Sequence, residues 1–115
     1  MSPPVEDASL MRLVYLSTLS VGLTSSNLKE PVERWAVSNK RHDITGVLAL
    51  DGERVCQILE GPHLAVQTLF QAIKVDPRHI GVTELSIEQI DARHFGQWGM
   101  VRRQMVDIVS LAFSL

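Results

Sequence analysis

Five side chains stand out in the 115-residue sequence because their chemistry does not match their surroundings: Tyr15, Asn39, Gln57, Trp98 and Met100. Tyr15 lies inside the apolar run Arg12-Leu-Val-Tyr-Leu-Ser-Thr18, and Gln57 inside Arg54-Val-Cys-Gln-Ile-Leu-Glu60. A phenol is an oxidisable group with a labile proton. A primary amide carries an acceptor oxygen and a donor nitrogen at nearly the same radius, so it can exchange one for the other with little change in volume. A buried Gln must find hydrogen-bond partners or cost on the order of a few kcal/mol. Asn39 closes an apolar helical stripe made by Leu28, Val32, Trp35 and Ala36. Trp98 and Met100 are two apart, so they share one face of a strand. Taken singly, each has an ordinary structural role: a Tyr with a satisfied hydroxyl, an Asn at a helix end, a Gln on a wet strand edge, a core Trp, a gap-filling Met.

Other chemistries are poorly served. There is no P-loop, no dinucleotide glycine fingerprint and no HExxH. His42, His63, His79 and His94 are scattered without metal-ligand spacing. Cys56 is the single cysteine, so it has no internal disulfide partner and no second thiol for zinc. It falls on the strand face opposite Gln57, and a lone buried cysteine is ordinarily inert. Hydrophobic residues make up 45% of the chain and charged residues 21%, with a net charge of −2. That composition excludes disorder of the whole chain. It offers no basic excess for nucleic acid or an acidic membrane surface. No apolar run approaches the ~18 residues of a membrane-spanning helix. The opening MSPPVEDAS is acidic and is not a secretory signal. The expectation is a small, soluble, cytoplasmic protein.

These side chains need a scaffold to bring them together. The length suits one domain that buries roughly two thirds of its unfolded surface. Residues 1–10 read as a flexible lead-in, 11–103 as the domain and 104–115 as a tail. The pattern predicts a strand over 12–18, then a loop of small and polar residues over 19–27. A helix ends near His42. Asn27 with Glu30 resembles a capping box, whereas Pro31 suits a start one turn later with Glu30 just outside. Strands over 44–50 and 54–60 flank Asp51-Gly52, a strong hairpin dipeptide. Gly61-Pro62 breaks the chain. A helix over about 62–75 presents Val66, Leu69, Phe70 and Ile73, and Asp76-Pro77 stops it. Strands follow over 81–90 and 98–102. The tail carries Met105, Ile108, Val109 and Ala112 at helical spacing, as a docking helix would. The order β-α-β-β-α-β-β is a ferredoxin-like α+β plan with both helices on one sheet face. The other face requires the tail, a second chain or solvent.

In this order the odd residues resemble one family, the BLUF domains, blue-light sensors that use flavin. Leu-Val-Tyr15-Leu-Ser resembles the family's first strand. Asn39-Lys-Arg-His-Asp-Ile-Thr-Gly46 resembles its Asn-x4-Ile-Thr-Gly segment, and Gln57-Ile-Leu-Glu-Gly61 its Gln-x-Leu-Glu-Gly segment. Asp76-Pro-Arg-His79 resembles its Asp-x-Arg-His turn, and Arg93-His-Phe-Gly-Gln-Trp-Gly-Met100 its closing run. The resemblance implies a flavin between the two helices: FAD, with FMN or riboflavin as alternatives. Asn39 would bond the ring's pyrimidine edge, and Gln57 would sit between Tyr15 and the ring. Lys74, Arg78 and His79 would hold the ribityl and phosphate end, with Trp35, Ile73 and Asp76 also in the cofactor site. On excitation Tyr15 would give an electron and then a proton through Gln57. Return of both would leave Gln57 rearranged, with a small red shift that Trp98 or Met100 passes to the tail. The module would have no enzymatic activity of its own, would form homo-oligomers and would signal through a separate output protein. Two alternatives stand beside this: a flavin-free relative serving as an interaction or dimerisation module, and a small acylphosphatase-like enzyme. Against the enzyme stands the loop 19–27, which contains no Arg.

The chain also departs from that family. Trp35 stands where a small residue usually faces the flavin, Pro31 where an aliphatic contact is usual, and Ala72 where many members carry a basic residue. Excess volume in a filled site costs ~1–3 kcal/mol, and a lost charged contact ~1.5–3 kcal/mol. Weak flavin binding and substoichiometric occupancy are expected, with Trp35→Ser raising both.

Overall fold

The computed structural model describes residues 9–20, 29–95 and 101–103. The elements are β1 (Leu10–Leu19), α1 (Lys29–Arg41), β2 (Thr45–Asp51), β3 (Arg54–Pro62), α2 (His63–Val75), β4 (His79–Ile90) and β5 (Val101–Arg103). The sheet runs β4-β1-β3-β2-β5. The first four strands pair antiparallel, and β5 lies parallel to β2. This is the expected ferredoxin-like α+β plan, with one strand added beyond β2. No helix among the described residues is long and apolar enough to cross a membrane.

Local chemistry sets the joints. Gly52 takes φ 60° at the β2–β3 turn, as a two-residue hairpin requires. At Gly46 a Cβ would lie 2.0 Å from the Ile58 carbonyl oxygen, so only glycine lets β2 close on β3 there. Both starts expected for α1 give way to one at Lys29, with Glu30 inside and Pro31 in the first turn, where a missing N–H leaves no helical bond unmade. The strands outrun their local patterns. β1 begins two residues before Arg12, β3 continues through Gly61-Pro62, and β4 begins at His79 rather than Gly81. In each case pairing with a neighbour overrides the turn signal: Leu10 faces Pro62, and Leu19 faces His79. Gly81, at φ 63°, sits beside a register shift in β4.

Alternation along β1 and β3 divides the core. Met11, Leu13, Tyr15 and Leu59 pack with Ile44 and with Val66 and Phe70 of α2. Val14, Cys56 and Ile58 point the other way and pack with Val47, Ala49 and Phe95. On that second face lies a buried ion network. Glu60 is 0% exposed, and its Oε2 accepts from Arg12 Nε at 2.8 Å and pairs with Arg12 Nη2 at 2.8 Å. Its Oε1 accepts the backbone N–H groups of His94 and Phe95 at 2.8 and 2.7 Å. Arg12 also reaches Glu88 at 3.1 Å. Arg93 donates to Thr45 Oγ1 (2.9 Å) and to the carbonyls of Glu60 (3.1 Å) and Asp43 (2.6 Å). Residues 91–95 are thereby fastened to the sheet. The tail stripe expected over 104–115 lies outside the described residues, as do Trp98 and Met100.

Candidate functional site

The antiparallel register sets Tyr15 opposite Gln57, and Leu48 opposite Gln57 on the other side. Three strands thus put a phenol, an amide and a leucine in a row beneath the helices. The Tyr15 hydroxyl donates to Gln57 Oε1. Tyr15 is 1% exposed and Gln57 5%. Burial pushes the Tyr15 phenol far above its ordinary value, with smaller upward pushes from Cys56 and Asp76. The phenol therefore keeps its proton and remains a donor at neutral pH. Its ring packs on Phe70 at 5.6 Å between centroids and edge-on to His79 at 6.2 Å.

Above this row lies a cavity of about 200 Å³. Tyr15, Leu48 and Gln57 form its floor. Trp35, Ser38 and Asn39 of α1 make one wall; Leu69, Ala72 and Ile73 of α2 make the other. Asp76 and His79 complete the lining from the connection after α2. Asn39 is 5% exposed. Its backbone carbonyl accepts the N–H groups of His42 and Ile44 at 3.1 and 2.8 Å, so the helix end fixes where its side chain starts. Tyr15, Leu48, Gln57 and Asn39 are buried, Trp35, Asp76 and His79 half-buried, and Ser38 and Ala72 exposed. The inner end is thus the floor with Asn39, and the mouth lies between α1 and the end of α2.

The connection after α2 is built on Asp76. Its Oδ1 accepts from the Arg78 backbone N–H (2.9 Å) and Nε (3.0 Å), and its Oδ2 from Nη2 (3.0 Å). Burial alone would raise the Asp76 carboxyl, but the hydrogen bonds and charge of Arg78 bring it below the usual carboxylate value. His79 Nδ1 lies 2.8 Å from Ser17 Oγ. Burial lowers its pKa, which Asp76 opposes and Arg78 reinforces.

Of the residues singled out from sequence, Tyr15, Trp35, Asn39, Gln57, Ile73, Asp76 and His79 all line the cavity. Arg78 and Lys74 do not. The Arg78 guanidinium lies 4.9 Å from the Trp35 ring centroid, and the Lys74 ammonium 4.8 Å from that of Phe70. Sequence reasoning did not select Leu48 or Ser38 for the site, and took Leu69 as core. Leu48 was findable, because the Asp51-Gly52 hairpin sets it opposite Gln57.

A match to the family described as BLUF, sensors of blue-light using FAD, runs over residues 10–101. The chain belongs to this family. It is 35% identical over 91 residues to the blue light- and temperature-regulated antirepressor BluF of Escherichia coli K12, covering 79% of this chain and 23% of that protein. It is 30% identical over 93 residues to the photoactivated adenylate cyclase subunit beta of Euglena gracilis, covering 80% of this chain and 11% of that one. This BLUF chain therefore spans less than a quarter of the length of either relative. The dark-state structure of the BLUF protein BlrB superposes with a TM-score of 0.79 at 32% identity, over 93% of this chain and 81% of that one. The chemistry of the lining suits the ring of a flavin. Isoalloxazine is a flat apolar body with a polar edge, and here apolar walls enclose two buried neutral amides, Asn39 and Gln57, near a phenol donor.

Proposed function

We propose that this chain is a blue-light switch whose moving part is the Gln57 amide. The carrying observation is the buried Tyr15 hydroxyl donating to Gln57 Oε1 at the floor of an apolar cavity. A bound flavin supplies the blue-light absorption and, once excited, a one-electron acceptor. Tyr15 supplies the electron, and its proton already points along the bond to Gln57. Gln57 relays that proton and, when electron and proton return, settles with donor and acceptor exchanged. Asn39 orients the ring through its polar edge. Apolar neighbours such as Leu48 and Ile73 keep water from competing for these bonds. FAD is the expected occupant. The output is an effector that senses the chain beyond Arg93, a stretch of sequence that includes Trp98 and Met100.

The test is the visible spectrum of the purified protein before and after blue light. The expected result is a yellow protein whose flavin band moves slightly to the red on illumination and recovers in the dark. Protein that stays colourless when flavin is added overturns the proposal. Trp35 lines the cavity, so its volume supports the expectation of weak binding. Trp35→Ser is expected to raise flavin affinity on titration of apoprotein. Equal affinities, with full occupancy of the unmutated chain, would show the indole to be ordinary wall.

A further inference from the structure

The Arg78 guanidinium packs against Trp35, which lines the cavity at its mouth, although Arg78 itself is not part of the lining. Trp35 belongs to α1, and Arg78 to the connection after α2, so a contact between them joins the two walls. Arg78 is not free to drift. Asp76 takes its backbone N–H and two of its side-chain donors at 2.9–3.0 Å. The connection itself is pinned to the end of β1. The Ser20 N–H donates to the Arg78 carbonyl at 3.0 Å, Ser20 Oγ donates to the Pro77 carbonyl, and Ser17 meets His79 at 2.8 Å. From that platform the guanidinium lies 4.9 Å from the centroid of the Trp35 ring. A guanidinium at that distance over an indole is attracted by the ring's negative face. The indole, which forms part of the cavity wall, is the partner left to move.

We propose that Arg78 is a positioning residue acting through Trp35: Asp76 fixes the guanidinium, the guanidinium fixes the indole, and the three form a clasp that sets how fast a flavin enters and leaves. The clasp deepens, and rests on, the flavin-binding function proposed above. Every contact in it is between protein groups, so it can close over a filled or an unfilled cavity alike. On this proposal a rigid three-ring ligand passes only when the indole swings away from the mouth. The clasp therefore opens during passage and closes again afterwards. Its strength falls on the barrier in both directions and largely cancels from the affinity. Trp35 itself acts differently, because its volume is present at both ends of the passage and weighs on affinity as well.

The test uses the full chain as apoprotein and riboflavin as the probe. Riboflavin carries no phosphate, so a direct Arg78–phosphate contact cannot contribute. Association and dissociation are followed by stopped-flow fluorescence. Arg78→Met is expected to speed both by about threefold to tenfold, with Kd changed less than twofold. Asp76→Asn is expected to act in the same direction. Arg78→Lys keeps the charge but not the planar fork, and is expected to restore part of the slowing. Iodide quenching of Trp35, read in a Trp98→Phe background, supplies a signal independent of ligand, and Arg78→Met is expected to raise it. Riboflavin that binds with unchanged rates, or a Kd shift carried by dissociation alone, overturns the clasp and leaves the flavin reading standing. Failure of riboflavin, FMN and FAD alike to bind the unmutated chain overturns both.

Discussion

Gln57 and Glu60 lie three residues apart on β3, both almost wholly buried, and they are held in opposite ways. Gln57 faces the helices and the cavity, where its carbonyl accepts a hydrogen bond from Tyr15. Glu60 faces the other way, into charges. Both its oxygens are occupied, by Arg12 on one and by two backbone N–H groups on the other. Reorienting a buried carboxylate would strip the buried Arg12 guanidinium of its 2.8 Å partner and leave it only the exposed Glu88, whereas turning a neutral amide keeps a donor and an acceptor at the same place. One face of the sheet is therefore suited to switching and the other to holding still. A light-driven rearrangement of a single amide transmits direction only if its strand does not yield, and the Glu60 network stiffens the end of that strand.

The contrast can be broken most severely at Glu60. Glu60→Leu leaves Arg12 with only the exposed Glu88 as a carboxylate partner among the described residues, leaves two backbone amides without their acceptor, and is expected to cost ~3–5 kcal/mol in chemical denaturation. A loss under about 1 kcal/mol would show the network to be ornamental. Gln57→Leu is expected to cost less, about 1–3 kcal/mol, for the Tyr15 hydroxyl left unpaired. It should still bind flavin but show no red shift in a light-minus-dark spectrum. Tyr15→Phe is expected to lose the shift in the same way, and a normal shift in either variant would remove Gln57 from its role. The pH dependence sharpens the picture at the mouth. The folded pKa of His79 is lowered from 6.5, chiefly by burial. The unfolded chain therefore binds more protons as pH falls through 6.5, and stability is expected to drop over that range. His79→Gln should flatten this part of the urea-midpoint profile; an unchanged slope would place the titration elsewhere. Smallest is the effect at Cys56, whose thiol burial pushes up to about 11. It is expected to resist a thiol reagent at pH 8 until the protein unfolds.

Much of this arrangement was legible because it is local. Asp51-Gly52 sets the β2–β3 register, alternation puts Cys56 and Gln57 on opposite faces, and helical spacing brings Val66 and Phe70 into the core. The sequence pointed to Tyr15, Trp35, Asn39, Gln57, Ile73, Asp76 and His79 of the cavity lining, though not to Leu48 or Ser38. What escaped is long-range. The Tyr15–Gln57 pair, 42 residues apart, was legible only through the family resemblance, because nothing in either strand's own pattern states their register. The Trp35–Arg78 contact joins the middle of α1 to the connection after α2, and their approach depends on the whole sheet. Glu60 read as the end of a strand, because a buried carboxylate becomes intelligible only when Arg12 and the amides of His94 and Phe95 arrive around it. The parallel pairing of β5 with β2 joins residues more than fifty apart, and no local pattern states it.

The Glu60 cluster also has a consequence for the order in which the chain folds. Its bonds span 48 residues to Arg12 and 34 and 35 to His94 and Phe95, and Arg12 reaches a further 76 to Glu88. Closing such loops is the slow part of building a sheet of this topology, whereas the β2–β3 hairpin closes over a two-residue turn. The cluster is thus expected to assemble after the folding transition state rather than within it. Mutations there would quicken unfolding and leave the folding rate nearly untouched, so the same carboxylate that stiffens β3 also sets how long the native state persists.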